Sequence, residues 1–448
     1  MTETERHYKK MTETSLMRLI VSLGIPTTIS MLVTSIYNMA DTYFVGILGK
    51  SAQGAIGILF TVQAVIQAIA FMLGQGSGTL VAKALADKNC NEASEYASTS
   101  FFVGIFFGII FAFVGLLFIE PLLVFLGSTE TILPYAKQYG ACVLINSPVM
   151  IGSFVLNNVL RYEGKAFFSM FGLCTGGILN IIGDYLLVYV YRFGVLGAGI
   201  ATVVSQIISF VFLIVILNKK AQSRISPKFI SKKPSTILEV SRVGFPSLIR
   251  QGLSSVSGGI LNNLTRPFGD AAIAAMSVVQ RFSMFIMCVG LGIGQGYQPV
   301  ASFNYQAKKY DRVKRGLLIT MLIGFCLIMC LAVPGFIFAD KIMYLFQKSE
   351  DVIEVGTVAL RFACVGTAFL SLSVPVNMLY QSTRQAGVAS FLSILRSGLM
   401  FIPTLIILTN IYGLFGIQVS QPCADVLTGL LSVPFIIHFL RKKEFRTE

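Results

Sequence analysis

Charge is what this sequence has least of. Only 12% of its 448 residues are Asp, Glu, Lys or Arg, about half the share of an ordinary soluble domain. Histidine occurs twice, and the eight cysteines contain no Cys-x-x-Cys. Most of those cysteines lie in apolar runs, so neither metal-ligand nor disulfide arithmetic applies, and they read as small buried hydrophobes. No phosphate-binding loop, nucleotide-binding glycine pattern, Ser/His/Asp set or zinc spacing is present. The chain is therefore not expected to be an enzyme, to hold a cofactor or to carry a resident metal. A cleavable signal peptide is also missing from view: Met1–Lys10 is polar, and the apolar run after it is too long.

What fills the chain instead is hydrocarbon. Hydrophobic residues make up 54% of it, the mean hydropathy is +0.75, and the few charges cluster in short stretches. At about 20 apolar residues per crossing, this is an all-α polytopic membrane protein. Twelve spans are expected, near 16–48, 53–78, 97–118, 133–157, 167–190, 194–217, 237–265, 271–298, 316–338, 355–380, 388–410 and 412–439. The net charge of +14 does not point to nucleic acid, because of where it sits: 25 of the 35 Lys and Arg fall in segments on one side of the membrane and seven on the other. That bias puts both termini in the cytoplasm of a plasma (inner) membrane protein.

The sequence then repeats. Gly24-Ile25-Pro26 returns as Gly244-Phe245-Pro246, Gly74-Gln75-Gly76 as Gly294-Gln295-Gly296, and Asn157 as Asn377, each at a shift of 220. Leu196-Gly197 resembles Phe415-Gly416 near the ends of the halves. Six spans per half make the repeats parallel, with a substrate site expected near the midplane. The domains expected are a lobe over 1–217, a basic cytoplasmic linker over 218–236, and a second lobe over 237–448 with a short basic tail. Gly-Gln-Gly reads as small residues that let helices approach closely. Pro26, Pro148, Pro246, Pro375 and Pro403 fall inside spans. Most suit bundle packing; Pro26, about four turns before Asp41, is a candidate bend.

Three carboxylates lie deep in the spans: Asp41, Asp184 and Asp425. Charge at that depth costs at least about 2.5 kcal/mol and marks a functional site by default. Asn180 stands one helical turn before Asp184 on the same face, and Thr202, Ser205 and Gln206 form a polar face in span 6. At the shift of 220, Asp41 aligns with Leu261 and Asp184 with Thr404, so the carboxylates belong to one half only. A buried carboxyl pair can take up and release a proton, or its oxygens, with Asn and Thr, can coordinate Na⁺; spacing does not choose between the two. The plainer alternative is a pair of interhelical hydrogen-bond ties. Tyr37, Asn38, Tyr139, Asn157, Gln206, Arg250, Met287 and Asn377 are candidates for lining a substrate cavity, and Arg281 and Arg396 could line it or neutralise Asp425.

With these motifs in hand, the chain resembles the multidrug and toxic compound extrusion (MATE) family, in the bacterial branch that includes MepA-like and DinF-like transporters. The resemblance spans essentially the whole chain and rests on Gly24-Ile25-Pro26, Asn38-Met39-Ala40-Asp41-Thr42 with Phe44-Val45-Gly46, Gly74-Gln75-Gly76, Asn180-Ile181-Ile182-Gly183-Asp184, and Gly197-Ala198-Gly199-Ile200-Ala201-Thr202. It implies two six-helix bundles around a V-shaped cavity, and an antiporter that exports small-molecule drugs in exchange for H⁺ or Na⁺. It also implies a coupling site in the first lobe made by Asp41, Tyr139, Asn180, Asp184 and Thr202. A monomer in the lipid bilayer is expected. The alternative cargo, from wider relatives, is a lipid-linked oligosaccharide precursor moved by a flippase.

Overall fold

A computed structural model describes residues 2–346 and 349–441. Lys442, Lys443 and Arg446 of the expected basic tail, and Lys348 of an outside loop, lie outside the described residues. From the N-terminus the helices are α1 (Glu3–Glu13), α2 (Leu16–Gly46), α3 (Lys50–Ala86), α4 (Cys90–Leu117), α5 (Ile119–Phe125), α6 (Leu133–Tyr162), α7 (Ala166–Asp184) and α8 (Gly194–Lys220). The second half follows with α9 (Pro234–Thr265), α10 (Asp270–Gln306), α11 (Tyr310–Ile337), α12 (Ala339–Phe346), α13 (Glu350–Thr367), α14 (Leu370–Ser382), α15 (Ala386–Ile394), α16 (Phe401–Tyr412) and α17 (Leu414–Arg441). No strand occurs among the described residues. In a membrane, helices satisfy every backbone group internally.

Ten spans among the described residues are long and apolar enough to cross a bilayer, and the pair α13–α14, bent by 48°, adds an eleventh. The remaining one of the twelve expected is α9, whose 32 residues are long enough. Its composition is not uniformly apolar, because Arg250, Gln251, Ser254, Ser255, Ser257, Asn262 and Asn263 interrupt it. Helices α3 and α10, at 37 residues each, run to about 55 Å at 1.5 Å per residue, so their ends project beyond the hydrocarbon.

The shift of 220 read in the sequence extends to the backbone. Helices α3, α4, α6 and α7 begin or end at residues 50, 90, 162 and 166, and their counterparts α10, α11, α14 and α15 do so at 270, 310, 382 and 386. Even the helix stops are copied. Lys88 and Lys308 adopt φ of 60° and 58°, and Gly164 and Arg384 adopt 75° and 62°. In each case the next residue's N–H reaches back to a carbonyl five positions earlier, at 2.9 Å. These left-handed closures cap otherwise orphan carbonyls. At the start of α4, Asn89 accepts from the Glu92 N–H at 3.1 Å and its amide donates to the Glu92 carboxylate at 3.0 Å, a reciprocal N-terminal cap.

The compact units do not follow the lobe boundaries expected from the sequence. One unit comprises Met1–Met11 and Ile29–Leu248, the other Thr12–Thr28 and Ile249–Glu448. The first part of α2 thus packs with the second half of the chain, and the first part of α9 with the first half. The two repeated glycine motifs explain why. Within the first unit, a Cβ added to Gly244 would stand 1.8 Å from the Met72 carbonyl oxygen, and one on Gly76 would stand 2.1 Å from that of Val240. Within the second, a Cβ on Gly296 would stand 2.3 Å from the Gly24 Cα. Each Gly-x-Pro segment therefore lies backbone-to-backbone against the Gly-Gln-Gly helix of the other half. Ser247 strengthens the first crossing by donating to Gln75 Oε1 at 2.8 Å.

The basic connection expected to join two lobes is itself part of the first unit. The Arg224 N–H donates to Ser94 Oγ at 2.9 Å, Ser98 Oγ donates to the Arg224 carbonyl at 3.0 Å, and the Ser231 N–H donates to Thr99 Oγ1 at 2.9 Å. Glu163, buried at the end of α6, accepts from the Gln222 and Ser223 N–H groups at 2.7 and 2.9 Å and pairs with Lys165 at 3.3 Å. Helix α1 docks on the same turn: His7 Nε2 lies 2.8 Å from the Glu163 carbonyl, and Lys10 Nζ donates to that of Gly164 at 3.5 Å.

Two predictions concern these contacts. Gly244→Val must force apart α3 and α9, at a cost of about 1–3 kcal/mol typical of overpacking. The melting temperature of the purified protein should therefore fall by several degrees, whereas Gly259→Ala, with open space at its Cβ, should leave it unchanged or raise it. Burial lowers the His7 pKa below its ordinary value, partly opposed by the Glu163 carbonyl and carboxylate. Undocked His7 therefore binds a proton more readily than docked His7, so α1 docking weakens as pH falls through about 6.5. Hydrogen exchange of residues 3–13, corrected for intrinsic rates, should quicken from about pH 7.5 to about pH 5.5 in the wild type and not in His7→Gln.

Candidate functional site

Asp41 lies near the end of α2, and Asp184 is the last residue of α7, where the helix widens into a π turn over Tyr185–Val190. Such wide turns recur at functional sites. Asp41 is 7% exposed and Asp184 fully buried. Glycines decide how near their helices come. A Cβ at Gly177 of α7 would stand 2.7 Å from Val33 of α2, and one at Gly199 of α8 would stand 2.7 Å from the Cys142 sulfur of α6. Without side chains at those two positions, α2, α6, α7 and α8 converge.

The Tyr139 hydroxyl donates to Asp41 Oδ2 at 2.6 Å, joining α6 to α2 across 98 residues of sequence. The Asn180 amide donates to Thr202 Oγ1 at 3.0 Å, joining α7 to α8. Thr202 lies beside the Tyr139 hydroxyl, and Asp184 is within electrostatic reach of Asp41 and Tyr139. One pocket opens on this cluster, lined by Tyr37, Asn38 and Asp41, by Gln63 and Gln67 of α3, by Tyr139 and Asn146 of α6, and by Thr202 and Gln206 of α8. The Asn146 amide donates to Gln206 Oε1 at 2.8 Å.

The hydrogen-bond account of this cluster does not close. Asp41 Oδ1, both carboxyl oxygens of Asp184, Asn180 Oδ1 and Asn146 Oδ1 are buried without a partner. Leaving a buried acceptor unmet costs about 1–3 kcal/mol, and more when it is charged. Every unmet atom in this cluster is an oxygen, so the site has a shortage of donors or of positive charge. A proton on either carboxyl converts an acceptor into a donor. A hard monovalent cation among the oxygens would meet the same shortage.

The structure thus brings together Asp41, Tyr139, Asn180, Asp184 and Thr202, with Tyr37, Asn38 and Gln206 on the adjoining pocket wall. Asn157 stands apart from that pocket. Its amide ties α6 to the Ser169 hydroxyl and carbonyl of α7, and Asn377 makes the same tie to the Ala389 carbonyl at 2.8 Å one repeat later. Arg250, Met287, Asn377 and Arg396 line a pocket in the second unit. Arg396 is there paired with Asp425 at 2.9 Å. Arg281 is exposed and lines neither pocket. Gln63, Gln67 and Asn146 are wall residues absent from the sequence expectation. The first two stand one turn apart in an apolar span, a polar face that the spacing alone exposes.

The repeat supplies the contrast. Leu261 and Ala359, the counterparts of Asp41 and Tyr139 at the shift of 220, are buried members of the second unit's hydrophobic core.

The MatE family model matches residues 26–186 and again 246–407, more than two thirds of the chain. The chain belongs to the MatE family. The two matched stretches begin 220 residues apart, the interval found between the glycine motifs. The multidrug export protein MepA of Staphylococcus saprophyticus is 24% identical over 435 residues, covering 96% of this chain and 95% of that protein. MepA of Staphylococcus aureus strain MSSA476 is 26% identical over 427 residues, covering 95% and 94%. A crystal structure of MATE in complex with MaL6 shares the fold, with a TM-score of 0.92 at 23% identity over 99% of this chain and 100% of that one.

The unmet oxygens make a prediction that needs no transport assay. Na⁺ or acidification should raise the melting temperature of the wild-type protein by several degrees, and Asp41→Asn with Asp184→Asn should remove that gain while leaving a folded protein. An equal response in the double variant would dissociate the stabilisation from this cluster.

Proposed function

We propose that this chain is a secondary active exporter of amphipathic, often cationic organic compounds, driven by inward flow of H⁺ or Na⁺ through the first-unit carboxylates. The observation that carries the reading is the set of buried oxygens around Asp41 and Asp184 with no donor to meet them. Membership of the MatE family and likeness to proteins named multidrug export proteins along nearly their whole length support the same reading.

A cation held by Asp41 and Asp184, beside Asn180, Thr202 and Tyr139, relieves an electrostatic shortage, so it favours whichever arrangement of α2, α7 and α8 keeps those oxygens together. Cargo must favour a different arrangement, since a ligand shifts an equilibrium only by its differential affinity for the two states. Pro26 lacks the N–H that would bond one turn back, giving α2 a point at which it can bend. The adjacent pocket wall, with Tyr37, Asn38, Gln63, Gln67 and Gln206, offers aromatic and amide groups to a flat cationic body. The lipid-linked alternative calls for a row of basic side chains to meet a polyanion. The in-span arginines supply few: one is exposed and one is paired with Asp425, which favours smaller cargo. The reading includes a monomer in the inner membrane with cytoplasmic termini.

In proteoliposomes with ΔpH or ΔNa⁺ imposed separately, one of the two gradients should drive ethidium export. Asp41→Asn should insert normally and lose that export to background. Ethidium movement at the wild-type rate in this variant would overturn the assignment of coupling to Asp41.

A further inference from the structure

Three lysines of the first unit meet at the start of α7. Lys165, the residue before that helix, pairs with Glu163 at 3.3 Å and donates to the carbonyl of Lys220 at the end of α8. Lys10 of α1 donates to the Gly164 carbonyl at 3.5 Å. The Lys220 ammonium lies over the Phe168 ring, 5.9 Å from its centroid. Helix α1, the turn between α6 and α7, and the end of α8 thus bring their ammonium groups to one corner. Burial, and after it the Lys165 charge, lower the Lys10 pKa below its ordinary value, so these like charges act on one another.

Little negative charge is set against them. Glu163 is buried, and its carboxylate also accepts from the Gln222 and Ser223 N–H groups and from the Ser223 hydroxyl. Among the described residues, neither Lys10 nor Lys220 belongs to an ion pair. An ammonium carries three donors; Lys165 places two of its own on Glu163 and the Lys220 carbonyl, and Lys10 places one on Gly164. At the shift of 220, Lys10, Lys165 and Lys220 match Ile230, Gln385 and Leu440. The cluster is therefore particular to one repeat, whereas the helix ends around it recur.

Hydrocarbon begins beside the charges. Ala166–Val190 is long and apolar enough to cross a bilayer. Its first turns expose Phe167 and Phe171 at 53% and 46%, with ring centroids 4.9 Å apart. Ammonium donors at the end of a span, with exposed apolar rings on the span itself, complement both parts of an amphiphile. A soluble anion would use the lysines alone.

We propose that this corner binds the headgroup phosphate of an anionic phospholipid, with an acyl chain alongside Phe167 and Phe171. Basic pockets at the ends of spans recognise lipid headgroups through the same charge complementarity. A zwitterionic headgroup brings its own cation against the lysines, which selects phosphatidylglycerol over phosphatidylcholine. Lys10 reaches the site only while α1 is docked, so lipid binding and α1 docking stabilise each other. The site lies at the opposite end of α7 from Asp184 and depends on neither the cargo nor the coupling ion.

Native mass spectrometry of the purified full-length protein counts the lipids that stay bound. The wild type should take up its first phosphatidylglycerol at about tenfold lower lipid concentration than phosphatidylcholine. Lys10→Gln with Lys220→Gln should lose that preference and leave phosphatidylcholine unchanged. Lys165 is kept, because unpairing the buried Glu163 can harm folding. Lys232→Gln with Lys233→Gln removes the same charge from exposed positions of the linker and should retain the preference. Inorganic phosphate at the concentration of the lipid should not displace it. In nanodiscs, hydrogen exchange of residues 3–13 should be slower with phosphatidylglycerol than with phosphatidylcholine in the wild type, and equal in the two lipids for Lys10→Gln with Lys220→Gln.

Equal uptake of the two lipids by the wild type, or the same loss of preference in the linker variant, would overturn the proposal. Displacement by inorganic phosphate would give the corner to a soluble anion and overturn its assignment to lipid. Wild-type exchange of residues 3–13 that ignores the lipid would overturn the part given to Lys10.

Discussion

Backbone against backbone is the contact on which the rest of this molecule depends. Where Gly24 meets Gly296, and Gly76 and Gly244 meet the backbones across from them, no side chain separates the helices. In lipid there is little hydrophobic gain from bringing two apolar helices together, so close packing of small residues supplies the attraction. The crossings take the first parts of α2 and α9 into units formed by the opposite halves of the chain. Helix α2 consequently has its beginning anchored in one unit and Asp41, near its end, in the other.

On that scaffold the two repeats share many helix ends but differ in charge and in where their helices break: the π turns stand 210 residues apart, and α6 is unbroken where α13 and α14 are bent by 48°. Helix ends, left-handed closures and the Asn157 and Asn377 ties recur at one interval. The polar centres do not recur. The first unit gathers oxygens that lack donors, and the second pairs Arg396 with Asp425 and sets Arg250 against Asn377. At the shift of 220, Asp41, Tyr139 and Asp184 fall on Leu261, Ala359 and Thr404, and Arg250, Arg396 and Asp425 on Ser30, Gly176 and Ser205.

Much of this was legible beforehand, and the exceptions have physical causes. Hydropathy locates spans because each needs a long apolar run, and α9 escapes the apolar criterion because its polar residues are spread along its length. The interval of 220 was visible in short glycine motifs, in which a Cβ at Gly76, Gly244 or Gly296 would overlap the backbone across the crossing. What the motifs touch was not visible, since partners such as Gly24 and Gly296 are far apart in the chain; this is why the expected boundary at 217–237 did not match the compact units. The carboxylates stood out through their cost in lipid. The bond from Tyr139 to Asp41 could not be read from spacing, because nothing in span 4 records which neighbour it faces.

The wide turn after Asp184 has a consequence for anyone drawing this protein on a helical wheel. A π turn takes in an extra residue, closing from the Tyr191 N–H to the Leu186 carbonyl at 2.8 Å. Through it the side chains drift progressively from the positions that a regular α-helix would give them. A wheel carried straight through residues 166–190 would therefore assign Tyr185 to Val190 to the wrong faces.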